Sequence, residues 1–262
     1  MNTAIIGYGK MGKLIETMVL EKGDSVSAVI DPFVPESKTI HGSLILKSIR
    51  DLSELKQKPD IAVEFTLPGT AADNLLYLAG EKIPAVTGTT GWYERLPELD
   101  AAVKKSGTSL FWAPNFSLGM NLFYRLAEYA AEIFDPFPEY DAGGMETHHN
   151  KKADSPSGTA KLIAEKVLAK MTRKNIAVYD RLDHPPAKEE LHFASLRIGS
   201  VMGIHSLFFD SPAETIEITH TMRNREALAA GAIRAAQWLA AKKQAGVYTM
   251  DDMLIDILQR SK

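Results

Sequence analysis

Thr3-Ala4-Ile5-Ile6-Gly7-Tyr8-Gly9-Lys10-Met11-Gly12 decides the fold. A short apolar strand candidate, Thr3–Ile6, runs into a G-x-G-x-x-G turn. The segment behind it, Lys10–Glu21, carries Met11, Leu14, Ile15, Met18 and Val19 at helical spacing. In such a strand–turn–helix unit the first glycine permits the tight turn. The second lets the main chain approach a pyrophosphate, and the third lets helix and strand pack closely. The helix start adds unpaired N–H groups and a positive dipole end, a ready site for phosphate. An acidic residue is expected about 20 residues on, at the end of the second strand. Asp31 stands there, after Ser25–Ile30. Gly7, Tyr8, Gly9, Lys10, Met11, Gly12 and Asp31 therefore form a candidate dinucleotide site. Asp31 works against a ribose 2′-phosphate, while Lys10 and Lys13 could neutralise one. NADH and NADPH both stay open as cofactors.

The alternation continues outward from this unit. Ile61–Phe65, Ala85–Val86 and Ser109–Trp112 read as strands, Thr70–Ala79 and Leu96–Lys105 as helices. Strand and helix in turn predict an α/β fold: a Rossmann-like doubly wound parallel sheet covered on both faces. Gly88-Thr89-Thr90 and Ala113-Pro114-Asn115-Phe116 follow two of these strands, where ligands of such sheets bind. Both join the candidate cofactor residues.

From about residue 118 the texture changes. Leu118–Phe134 is a long helix candidate stopped at Pro136. Tyr140–Thr147 is a strand candidate weakened by Gly143-Gly144. A helix follows Ser155-Pro156-Ser157, and Arg181–Glu190 reads as a surface loop. Leu191–Arg197, His205–Asp210 and Glu214–His220 alternate apolar and polar residues. This predicts a second, α+β domain over 118–225 with a mixed or antiparallel sheet. Helices over Glu226–Lys243 and Met250–Gln259, the latter capped by Thr249, end the chain.

Composition narrows the function classes. The 262 residues carry 30 basic and 33 acidic side chains, a net charge of −3, and no cysteine. A near-neutral chain is neither a strongly basic nucleic-acid binder nor an acidic tail. The lack of cysteine removes disulfides, thiolate metal sites and cysteine nucleophiles. The most apolar stretch, Ala227–Ala241, is broken by Arg234 and Gln237 and falls short of a membrane span. The N-terminus shows no targeting signal. The expectation is a soluble cytoplasmic protein with neither nucleic-acid nor membrane partners.

Met145 to Thr159 is the richest stretch for chemistry. His148-His149 and Lys151-Lys152 precede Ser157-Gly158-Thr159, which opens a helix with Ala160, Ile163, Ala164, Val167 and Leu168 on one face. Such a helix start binds a carboxylate well, and histidine is the usual general acid near neutral pH. A metal site is disfavoured. Adjacent side chains on an extended chain point to opposite faces, and the lysines would repel a cation. A solvated basic loop before a capped helix is the bland alternative. His41, His184 and His192 read as surface or loop residues.

The run Glu146-x-His148-His149-x-x-Lys152-x-Asp154-x-Pro156-Ser157-Gly158-Thr159-Ala160 resembles the 4-hydroxy-tetrahydrodipicolinate reductase (dihydrodipicolinate reductase) family. It stands in order with Gly7–Gly12, Gly88-Thr89-Thr90-Gly91 and Asn115-Phe116-Ser117-x-Gly119-x-Asn121. Arg197-x-Gly199-x-x-x-Gly203-x-His205, Glu217-x-x-His220 and Arg225 complete the likeness, which spans essentially the whole chain. The resemblance implies NAD(P)H-dependent reduction of a small cyclic dicarboxylate with loss of water, in diaminopimelate and lysine biosynthesis. It assigns catalysis to His148 and Lys152, and substrate contact to His149 and Ser157. Gly158 and Thr159 clamp a carboxylate. It further implies a homotetramer assembled through the second domain, and a C-terminal segment, 226–262, that rejoins the nucleotide domain 1–117. Pro32 departs from members that carry Arg after the acidic residue, which puts a 2′-phosphate contact in doubt. Another dehydrogenase of similar architecture, or a nucleotide sensor without turnover, would share Gly7–Gly12 but would not need the Lys152–Thr159 run.

Overall fold

The first strand explains the architecture of the N-terminal half. In β1 (Asn2–Ile6), Ala4 and Ile6 enter one apolar cluster and Ile5 the other. A strand buried on both faces needs helices above and below, the arrangement of parallel sheets. The structure, a computed structural model, describes residues 1–179 and 181–260.

The elements α1 (Lys10–Glu21), β2 (Ser25–Ile30), β3 (Ile45–Leu46), β4 (Ile61–Glu64), α2 (Pro68–Gly80), β5 (Ala85–Thr87), α3 (Leu96–Ser106) and β6 (Ser109–Trp112) follow. The chain then forms α4 (Leu118–Phe134), β7 (Asp141–His148), α5 (Gly158–Leu168), β8 (Ile176–Tyr179), β9 (Glu190–Arg197), β10 (Ile204–Asp210) and β11 (Thr215–Thr221). It ends with α6 (Glu226–Ala240), β12 (Gly246–Tyr248) and α7 (Met250–Arg260). Two compact units result. One is Met1–Leu118 with the chain from Arg225 onward, the other Gly119–Asn224.

The first unit holds a seven-stranded sheet, order β12-β6-β5-β4-β1-β2-β3, with every pairing parallel. Ile15 and Val19 of α1, Ala229 to Leu239 of α6 and Met253 of α7 cover one face. Leu75 and Leu78 of α2 and Leu99 and Val103 of α3 cover the other. Each such buried aliphatic side chain contributes about 1.5–3 kcal/mol. The doubly wound expectation is met. In α6 a Cβ at Gly231 would lie 1.7 Å from the Phe116 carbonyl oxygen, so the missing side chain sets how closely this helix approaches.

The second unit carries a mixed sheet, order β11-β10-β7-β9-β8. Central β7 runs antiparallel to β10 and parallel to β9. Helices α4 and α5 pack on one face, against Ala142, Leu191, Phe193, Leu207 and Phe209. One glycine of the pair inside β7 has a packing cause. A Cβ at Gly144 would stand 2.3 Å from the Phe193 ring, which lies across the strand. Gly144 is a notch for an aromatic ring and does not interrupt the strand.

One expectation needs correction, one gains detail, and three short strands are new. His192 sits within β9 and not in a loop. Thr249 stands at the N-cap position before α7, its N–H and hydroxyl both donating to Asp252, each at 2.7 Å. Strands β3, β8 and β12 have two to four residues each, too few to establish a period in sequence.

Candidate active site

A cavity of about 390 Å³ opens in the first unit, lined by Gly9, Lys10, Met11, Phe65, Thr66, Pro68, Gly88, Thr89 and Thr90. The glycine-rich turn shapes it. Gly7 has φ +92° and carries its main chain against Phe65, where a Cβ would meet the carbonyl oxygen at 2.3 Å. At Gly9 an added Cβ would meet nothing within 4 Å, and Gly9 caps α1 without any side-chain hydrogen bond. The first N–H groups of α1 thus remain for an anion. These residues fit the pyrophosphate of a dinucleotide.

Behind the cavity, Glu64 is fully buried and gathers its walls. It accepts from the Thr66 N–H at 3.0 Å and from the hydroxyls of Thr66, Thr87 and Thr89. Asp31 reaches back to the turn: it accepts from the Tyr8 N–H at 2.8 Å and the Phe33 N–H at 2.9 Å. Tyr8 divides between turn and core. Its side chain turns inward to donate to buried Glu16, and burial, then Glu16, pushes the phenol up to about 12. Only its main chain belongs to the turn. Ala113 and Phe116 are core residues, the Phe116 ring 5.9 Å from that of Phe65. Pro114 is exposed, and Asn115 accepts from the Ser117 N–H at 2.9 Å. None of these four lines the cavity. Phe65, Thr66 and Pro68 do line it and were missed, although the end of the expected strand Ile61–Phe65 was a signal for them.

The helix-covered face of the second sheet changes character along its strands. Ala142, Phe193, Leu207 and Phe209 are apolar; toward the other end of the same strands stand Glu146, His148, Ser195, Arg197 and His205. Register makes this one cluster. Glu146 pairs with Ser195 and His205, His205 with His220, and His148 with Arg197. Glu146 is fully buried. It accepts from the Ser157 N–H at 2.9 Å and the Ser157 hydroxyl, from Ser195 Oγ at 3.0 Å and from Arg197 Nη2 at 2.8 Å. His148 Nδ1 lies 3.2 Å and His205 Nε2 3.6 Å from its Oε2. Neither nitrogen makes a hydrogen bond to it, His205 Nε2 because it lies too far away.

The electrostatics follow from this crowding. Burial alone pushes the Glu146 carboxyl up, but the neighbouring imidazoles of His148 and His205 and the hydrogen bonds from Ser157 and Arg197 overcome it and hold the group far below the usual carboxylate range. Burial lowers His205, Glu146 only partly offsetting it, and burial likewise lowers His220. The neutral form is favoured at both.

The loop between β7 and α5 is tied down. The Ile198 N–H donates to the His148 carbonyl at 2.8 Å, the Asn150 N–H to Gly199 at 3.2 Å, and Arg197 Nη2 to the Asp154 carbonyl at 2.6 Å. Lys152 Nζ rests 2.7 Å from Asp154, whose carboxyl it lowers. Ser157 caps α5, accepting from the Ala160 N–H at 3.1 Å. Here the structure corrects the sequence reading, because the Ser157 N–H is already committed to Glu146. The uncommitted donors at this helix start are Gly158, which is exposed, and Thr159. His149 is half-buried with no partner for Nδ1.

Glu146, His148 and His205 offer ligand atoms within 4.8 Å of one another, a grouping that sequence adjacency of His148 and His149 did not suggest. A dication there would face the Arg197 guanidinium and displace Ser157 from Glu146. The set suits protons better than metal.

Comparison with known proteins is decisive. A family model described as the N-terminus of dihydrodipicolinate reductase matches residues 1–116, and one for its C-terminus matches 119–254. The chain belongs to the dihydrodipicolinate reductase family. A 4-hydroxy-tetrahydrodipicolinate reductase from Christiangramia forsetii is 31% identical, over 99% of this chain and 100% of its own. One from Methanococcoides burtonii is 32% identical, over 97% and 99%. Among solved structures, a dipicolinate-bound dihydrodipicolinate reductase from Paenisporosarcina sp. TG-14 shares the fold. Its TM-score is 0.75 at 20% identity, over 95% of this chain and 97% of that one. A myo-inositol dehydrogenase from Corynebacterium glutamicum matches less closely, with TM-score 0.59 at 12% identity, over 93% and 90%. Membership in the dihydrodipicolinate reductase family makes the chain an oxidoreductase that works with a nicotinamide cofactor. Among the described residues no helix is long and apolar enough to cross a membrane.

Proposed function

We propose that the chain reduces 4-hydroxy-tetrahydrodipicolinate to tetrahydrodipicolinate with loss of water, a step of diaminopimelate and lysine biosynthesis. The observation that carries this is the polar end of the second sheet, where His148 and the Lys152 loop lead into a helix start with two uncommitted N–H donors. The first unit, about residues 1–117 and 226–262, holds the cofactor; the second, 118–225, holds the substrate. A bound reduced nicotinamide supplies the hydride.

The chain's own groups do the rest. Gly158 and Thr159 offer N–H groups to a substrate carboxylate, and the α5 dipole favours its charge. His149 contacts the dianion. His148 is the general acid. Lys152, which Asp154 holds in the free protein, binds the substrate and supplies a proton. Ser157 supports the clamp from behind rather than touching substrate.

The cofactor is NADH or NADPH. Asp31 puts a fixed negative charge at the end of β2 and Pro32 adds no cation, which favours NADH. Lys10 is exposed at the turn and gives NADPH a counter-charge. The open face of the second sheet exposes Met145 and Leu196, at 39% and 48%, a surface suited to assembly as a homotetramer. Sedimentation over a dilution series checks that state. The setting is cytoplasmic.

The direct test generates the substrate in situ, with its synthase, from pyruvate and aspartate semialdehyde. Absorbance of NADH or NADPH is followed in parallel runs, and synthase-dependent oxidation is expected. His148→Ala and Lys152→Ala should each lower turnover by roughly 10²–10⁴-fold. Losses below about threefold in both would remove these roles.

A further inference from the structure

His148 and Ser157 are separated by a basic loop, yet both end on one carboxylate. Glu146 Oε2 lies 3.2 Å from His148 Nδ1 and accepts the Ser157 hydroxyl, while Oε1 takes the Ser157 N–H at 2.9 Å. The carboxylate cannot drift: Arg197 Nη2 and Ser195 Oγ hold Oε1 at 2.8 and 3.0 Å, and it is fully buried. The same Arg197 nitrogen also holds the Asp154 carbonyl, so the loop bearing Lys152 hangs on this anchor as well.

We propose that Glu146 is a positioning residue, fixing through one buried carboxylate both the ring of His148 and the start of α5. This rests on the roles given above to His148 and to the Gly158–Thr159 clamp. At 3.2 Å a small turn of the ring aligns Nδ1–H with the carboxylate, and an imidazole so held presents Nε2 for proton delivery, since the second partner settles the tautomer. Nε2 points past Gly203, where an added Cβ would lie 3.1 Å away, so the glycine leaves that nitrogen room. The other charged or titratable groups around the ring are Arg197 on β9, His205 on β10 with His220 behind it on β11, and Lys152 with Asp154 in the loop. His205 crosses His148 edge to face, centroids 5.1 Å apart, and remains the weaker claimant on Oε2 at 3.6 Å.

Nitrogen-15 spectra of the His148 ring in the intact protein, at a pH where the ring is neutral, test this without turnover. The unaltered protein should show protonated Nδ1 and bare Nε2. Glu146→Gln turns an amide toward the ring and should shift the population to protonated Nε2. In the coupled assay kcat should fall about 10–100-fold. KM for the dicarboxylate should rise about fivefold, while NADH affinity in the first unit stays within about twofold. Glu146→Asp keeps the charge and should restore the Nδ1–H tautomer and part of kcat; it carries both readouts if Glu146→Gln does not fold. Protonated Nε2 in the unaltered protein overturns the proposal. So does an unchanged tautomer in Glu146→Gln, whether or not turnover falls. A protein that orients His148 as stated but oxidises no nicotinamide on this substrate supports the positioning role and overturns the proposed function instead.

Discussion

Ser157→Ala isolates a hydroxyl that serves two partners at once. Ser157 Oγ accepts from the Ala160 N–H at 3.1 Å and donates to buried Glu146. Losing a serine cap costs about 1 kcal/mol. Losing a hydrogen bond to a charged group costs about 1.5–3 kcal/mol. Glu146 retains the Ser157 N–H, Ser195 and Arg197, so the second loss sits at the low end. The sum is about 2–3 kcal/mol, or roughly 5–10 °C in Tm for a chain of this size. Scanning calorimetry reads it as a lowered Tm. Ser157→Gly separates the two terms. Glycine caps nearly as well as serine, so its remaining deficit, about 1.5 kcal/mol or more, reports the bond to Glu146. A Ser157→Ala protein within about 0.5 kcal/mol of the unaltered one, the scatter of surface substitutions, would refute the reasoning.

Acid should unfold the second unit in two stages. His205 and His220 are lowered in the fold, so below about pH 6.5 the unfolded chain binds protons first and stability falls. Glu146 is lowered too; its contribution is complete above the ordinary glutamate value of about 4.3 and is lost below it. Denaturant titrations from neutral to acid pH check both stages, and His205→Gln should flatten the upper one. Gly144→Ala drives a methyl into the Phe193 ring, 2.3 Å away, and should cost about 1–3 kcal/mol in urea unfolding, with partial recovery by Phe193→Leu. Gly7→Ala meets the Phe65 carbonyl at φ +92°. It should weaken NADH binding by an order of magnitude or more in a fluorescence titration, about 1.4 kcal/mol, without changing affinity for pyridine-2,6-dicarboxylate.

The fold was legible where period and punctuation agreed. Lys10–Glu21, Ser25–Ile30 and Ser109–Trp112 are found with the bounds expected, because apolar spacing, a glycine turn and a buried face all mark the same residues. Strands such as Ile45–Leu46 left no period to read. The candidate site was legible as a motif but not as a network. His148, Lys152 and Gly158 stand out by residue type, whereas Glu146 reads as one more acid until register sets it beside Ser195 and His205. Tyr8 is the converse: its position in the glycine turn suggests a ligand contact, and only packing shows that the ring points to Glu16 and leaves the main chain to the turn.

The nucleotide-binding unit is not contiguous along the chain. Ala229 to Leu239 of α6 and Met253 and Leu254 of α7 complete one of its two cores, and β12 adds its edge strand beside β6. On the ribosome the glycine-rich turn therefore emerges long before the helices that complete its core. The unit formed by Gly119–Asn224 has all its strands available while its elder neighbour still waits for a roof. A nascent chain stalled or cut after Asn224 would hold every residue of the dinucleotide turn, yet it would expose to chaperones the apolar sheet face that α6 and α7 are there to cover.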